Sequence, residues 1–102
     1  MKINKLGAHS NGTRNFEIRA GTLSYRALLR CIRSIPGAVV TEAKHYPITD
    51  DARITIRYKD ITVTVETPFS DYIISCTSSS GAFDDFISKM SSFQVKWWDR
   101  II

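Results

Sequence analysis

The chain predicts an α+β domain: an antiparallel β-sheet with two main helices packed on one face, a two-layer sandwich. Three observations carry that expectation. Apolar and polar residues alternate from Ala52 to Glu66, broken once at Lys59-Asp60. Two segments place their apolar residues at helical spacing instead, one before this stretch and one after it. The strand-like segments between the helices follow one another with short connections, which favours antiparallel pairing and helices on one side. The expected order is β-α-β-β-β-β-α followed by a C-terminal tail.

Residues 1–14 have no sustained period and read as an N-terminal tail or a loose edge, so a single α+β domain is expected over 15–102. Phe16, Ile18 and Ala20 alternate with Glu17 and Arg19 and give a short strand ending at Gly21. Thr22 has the chemistry of a helix N-cap, since a hydroxyl can accept from an orphan first-turn amide. The helix it would open runs to about Ser34 and stops at Pro36-Gly37. Ala27, Leu28, Cys31, Ile32 and Ile35 form its apolar stripe, and Arg26, Arg30 and Arg33 share the opposite face. Ala38 to His45 is β-branched enough for a strand, with either face able to point inward.

The stretch around Lys59-Asp60 is the clearest. A two-residue turn there sets Tyr58 against Ile61, Ile56 against Val63, Ile54 against Val65 and Arg53 against Glu66. Slipping by one residue would turn one strand's apolar set to water, so the pattern specifies its own register. Pro68 cannot donate to a ladder and marks a connection. Tyr72 to Thr77 gives another strand. Ser78-Ser79-Ser80-Gly81 is a loop, and Phe83, Phe86, Ile87 and Met90 then define a second helix with Asp84 and Asp85 in its first turn. Phe93 to Ile102 fits a helix or a strand.

With 102 residues, 43% of them hydrophobic and 24% charged, the chain suits one soluble domain. No apolar run reaches the roughly 20 residues of a membrane helix. The charged N-terminus lacks a signal-peptide core, so the expected location is cytoplasmic. There Cys31 and Cys76 are expected as buried thiols and not as a disulfide, and Asn11-Gly12-Thr13 as a turn and not a glycosylation site. Net charge is +4. Residues 1–34 hold seven basic side chains against Glu17 alone, and the rest of the chain is slightly acidic. Such polarity speaks to partners.

Catalytic motifs are missing from the sequence. His9 and His45 stand in no recognisable pattern, and HEXXH, paired CXXC, GXSXG and phosphate-binding glycine loops are absent. No catalytic residue, cofactor or metal ligand is therefore expected. A small basic RNA-binding protein or ribonuclease using the N-terminal basic region is the alternative reading, with His9 and His45 as acid and base. Against it, the sheet's outward residues include no aromatic stacking platform for nucleotides.

Protein binding fits the residues better. Arginine binds carboxylates bidentately, and tryptophan and arginine are enriched among interface hot spots. In Lys96-Trp97-Trp98-Asp99-Arg100 the neighbouring rings point different ways, so one core cannot easily take both. The candidate partner-binding residues are Arg26, Arg30, Arg33, Trp97, Trp98 and Arg100.

The segment from Ile54 through Pro68-Phe69-Ser70-Asp71-Tyr72, the helix from Phe83 to Met90 and the closing Val95-Lys96-Trp97-Trp98-Asp99-Arg100 resemble small bacterial proteins. Some proteins of this architecture are immunity proteins of the contact-dependent growth inhibition type. The resemblance covers the C-terminal half. It implies a protein that binds a cognate toxin domain and occludes its active site; a monomer or weak homodimer is expected. Immunity proteins that face nucleases are often acidic, so a basic chain would suit a toxin with an acidic surface.

Overall fold

A computed structural model describes residues 1–5, 14–19, 21–46, 48, 51–67, 71–76, 81–96 and 98. In chain order the elements are β1 (Asn4–Lys5), β2 (Arg14–Ile18), α1 (Tyr25–Arg33), β3 (Ala38–Tyr46), β4 (Asp51–Tyr58), β5 (Ile61–Glu66), β6 (Tyr72–Cys76) and α2 (Gly81–Ser91). The strands form one six-stranded sheet in the order β1-β2-β6-β5-β4-β3, and neighbours pair antiparallel throughout. Helix and strand together make the α+β class expected from the sequence.

The β4–β5 hairpin has the expected register, with Tyr58 opposite Ile61, Ile56 opposite Val63, Ile54 opposite Val65 and Arg53 opposite Glu66. Lys59 adopts φ 54° in the turn, a left-handed conformation that non-glycine residues seldom take. The other end of the hairpin is closed by Thr67. Its hydroxyl accepts from the Ala52 amide at 2.6 Å and is itself buried. That bond satisfies a ladder-end donor that water cannot reach.

Alternation along these antiparallel strands leads down from β6 through β5 and β4 to β3, so β2 and β3 run parallel at positions four strand spacings apart. Parallel strands need a crossover, and α1 with its flanking turns supplies it. Both turns use a glycine at positive φ, Gly21 at 81° and Gly37 at 84°, where a side chain would be strained. The N-cap is Ser24 and not Thr22: the Ser24 hydroxyl accepts from the Ala27 amide at 3.1 Å. The Thr22 amide instead bonds the Arg19 carbonyl within the Gly21 turn, and Leu23 is buried before the helix begins. The chain has to finish that turn before it can wind.

One core lies between the sheet and the helices. Ala27, Leu28, Cys31 and Ile32 from α1 and Phe83, Phe86, Ile87 and Met90 from α2 meet the inward residues of β2, β4, β5 and β6 in a single buried cluster. Burying one such aliphatic or aromatic side chain contributes about 1.5–3 kcal/mol. Phe16 meets Phe83 edge-on at 5.4 Å between ring centres. Cys31 and Cys76 are both buried and are thiols, not a disulfide, as the sequence suggested. Burial pushes the Cys31 thiol up to about 12, which keeps it protonated.

The opposite sheet face is half-buried to exposed among the described residues. Across it run a row from Glu17 through Ile73, Glu66 and Arg53 to Lys44, and a second from Asn15 through Ser75, Thr64 and Thr55 to Glu42. The indecision over β3 has a structural cause. The register shifts between Val40 and Glu42, so Thr41 is an extra residue that reverses the alternation. Val40 faces the core opposite Ile56. Beyond the bulge Ala43 and His45 take the inner side, opposite Ile54 and Ala52.

At the N-terminal edge, Asn4–Lys5 pairs with Phe16 and Glu17 where a tail or loose edge was expected. The Met1 ammonium donates to the Ser91 and Phe93 carbonyls at 2.8 and 2.9 Å. A positive group on the carbonyls at a helix C-terminus is favoured by the helix dipole. Among the described residues no helix is long and apolar enough to cross a membrane.

Candidate functional site

The arginine ridge forms as its spacing requires. Arg26, Arg30 and Arg33 all lie exposed on α1, while the residues on the other side of the helix are buried. Positions 26, 30 and 33 fall within one helical face. Arg30 and Arg33 occupy the last turn, where cations are favoured by the exposed carbonyls. Arg33 also acts at a distance on Tyr25. Burial raises the Tyr25 phenol above its ordinary range, and the Arg33 charge opposes that rise.

Tyr25 begins α1 and stacks on His45 of β3, with ring centres 4.5 Å apart and planes 9° from parallel. The contact fastens the start of the helix to the sheet and gives His45 a packing role. His9, the other histidine of the ribonuclease reading, lies outside the described residues.

Of the C-terminal candidates, Trp98 is 38% exposed, and the Lys96 ammonium sits 5.3 Å from the centre of a Trp98 ring. That is cation–π range. Trp97 and Arg100 lie outside the described residues. Residues 93–96 are neither helix nor strand, so neither conformation expected for this segment is adopted there. Phe93 and Val95 pack against the core and hold this stretch to the body of the domain.

A second charged constellation was missed by the sequence reading. The Tyr58 hydroxyl donates to Asp85 Oδ2 at 2.5 Å and accepts from Lys89 Nζ at 2.9 Å. Lys89 and Lys59 approach the same carboxylate at 3.2 and 3.4 Å. The hydrogen bond from Tyr58, with help from the two lysines, holds Asp85 down at about 2, and Lys89 is raised by its own bonds to Tyr58 and Asp85. The cluster satisfies the hydroxyl of a phenol whose ring is buried against Phe86, 5.3 Å away. Its one legible signal was the i,i+4 spacing of Asp85 and Lys89.

A shallow cleft of about 480 Å³ lies at the β1–β2 end, lined by Lys2, Asn4, Glu17, Arg19 and Thr22. Glu17 accepts from Asn4 Nδ2 at 3.5 Å and stands 3.7 Å from Arg19 Nε. Among the described residues no three potential metal-ligating side chains gather at one place. No family model, curated protein or solved structure matches the chain.

Proposed function

We propose that this is a protein-binding module that presents the arginine ridge of α1 to a partner with an acidic surface. The observation that carries the reading is the exposed ridge of Arg26, Arg30 and Arg33 on the solvent side of a well-anchored helix. Rigid presentation matters because a guanidinium that is already placed loses less freedom when it pairs with a carboxylate. Trp98 supplies a partly exposed ring of the kind that anchors interfaces, with Trp97 and Arg100 beside it in sequence.

In its specific form the proposal is an immunity protein that neutralises a cognate bacterial toxin domain by covering its active site, supported by the resemblance in the C-terminal half. The arginines would steer association and pair at the rim, and charge at a rim acts mainly on the association rate.

The test starts from the neighbouring genes. A secreted toxin encoded there is co-expressed, as its toxic domain, with this chain, and finding no such gene counts against the immunity reading. The wild-type chain should restore growth. Arg26→Glu, Arg30→Glu and Arg33→Glu combined should lose protection and slow association at least tenfold. The chain should stay folded, with a melting temperature lowered by no more than the helix-dipole cost of two anions in the last turn. Protection that survives the triple reversal removes the ridge from the site, and a wild-type chain that never protects removes the immunity reading. RNA affinity falling steeply with salt, and lost in the triple variant, would move the ridge to a phosphate backbone instead.

A further inference from the structure

We infer that β3 is a self-complementary edge through which two copies of this chain pair antiparallel, joining their sheets across a two-fold axis at Ala43. At nine residues β3 is the longest of the described strands, one residue longer than β4, and it closes the sheet on one side. An end strand presents backbone donors and acceptors that only another strand can satisfy in full. Among the described residues the large apolar side chains left exposed are Val39, Tyr46, Ile48 and Trp98. Two of these four belong to β3.

The side chains choose the occupant. Glu42 and Lys44 both point to the open sheet face, opposite Thr55 and Arg53 of β4, and stand 3.5 Å apart within the chain. They flank Ala43 symmetrically and carry opposite signs. In a two-fold antiparallel pairing about Ala43, each Glu42 therefore lies opposite the second copy's Lys44, and the four charges alternate around the axis. A strand flanked by one sign of charge would repel its copy, since like charges directly opposite are destabilising.

The bulge supports the same register. Because Thr41 is the extra residue, pairing that steps over it sets Val40 opposite the second copy's His45, both on the inner side. The next step sets Val39 opposite the second copy's Tyr46, both on the outer side. The exposed apolar pair, 57% and 54% accessible in one chain, would thus cover each other. A pairing that failed to step over Thr41 would set Val40 against Tyr46 from opposite faces. One register satisfies the charges, the faces and the apolar side chains together.

Sedimentation equilibrium of the full chain from 5 to about 500 µM at moderate salt tests this, that range covering the micromolar affinities of small interfaces. The wild type should dimerise. Glu42→Lys should weaken the dimer at least tenfold, and the exchange Glu42→Lys with Lys44→Glu should restore it, because the swapped pair is again complementary. Ala43→Cys should form an intermolecular disulfide under mild oxidation, as Cα atoms directly opposite fall within disulfide reach. Lys44→Cys should link far more slowly. Thermal melts of each variant confirm folding. A wild type that stays monomeric throughout overturns the proposal and leaves the edge to a strand of another protein. A dimer indifferent to Glu42→Lys, or one not rescued by the exchange, overturns pairing about Ala43.

Discussion

The two helices cover the same core and treat their outward charges in opposite ways. In α2, Asp85 and Lys89 turn back to the sheet and share the Tyr58 hydroxyl, with Lys59 of the hairpin turn joining the carboxylate. In α1, Arg26, Arg30 and Arg33 project to solvent, and the helix is fastened by its N-cap, its buried stripe and the Tyr25–His45 stack. Polar groups on α2 serve the closure of the core, and the three guanidinium groups of α1 lie on its exposed face.

The largest way to break this contrast is from inside. Phe86→Ala should cost about 3–5 kcal/mol, since the ring is fully buried against Tyr58 and truncation leaves a cavity. Urea unfolding should show a lower midpoint with an unchanged slope. A loss below about 1 kcal/mol would mean that the α2 side of the core is loosely packed.

Next comes the pH dependence of the α2 cluster. Asp85 has an ordinary value of 3.8 and is held at about 2 in the folded chain. A carboxylate depressed by folding contributes its stability above the unfolded value and loses it as pH falls through the folded one. The cluster should therefore weaken between about pH 4 and pH 2. Asp85→Asn should flatten that part of the stability curve, and an acid limb unchanged in the variant would place the dependence elsewhere.

The smallest effect is expected on the ridge. Arg26→Ala should change stability by no more than about 0.5 kcal/mol, as usual for an exposed helical position that supports no packing. A loss of 2 kcal/mol or more in the same urea experiment would erase the contrast by making the ridge structural.

Legibility in the sequence followed the same division. Both apolar stripes and the hairpin register could be read because burial imposes a period, and a period survives in one dimension. Ser24 replaced Thr22 as the cap because both carry the required hydroxyl, and only the Gly21 turn decides where winding starts. The orientation of β3 was hidden by one extra residue, Thr41. The Tyr58–Asp85–Lys89 cluster joins residues up to 31 positions apart, a meeting that packing creates and no spacing announces. The arginine ridge could be read because its members share one helix.

The sheet order has a consequence for how the chain comes together. Strands β3, β4, β5 and β6 lie side by side in the order of synthesis, and the hairpin joins Arg53 to Glu66, only 13 positions away. Strand β2 pairs with β6, bringing Phe16 to Ile74 across 58 positions. Closing the longer loop costs roughly 1 kcal/mol more chain entropy on logarithmic scaling with length. Four strands can thus zip through neighbouring contacts, and the fifth must find the free side of the last of them. Ile18 and Phe16 reach their places in the core only after that distant edge has formed.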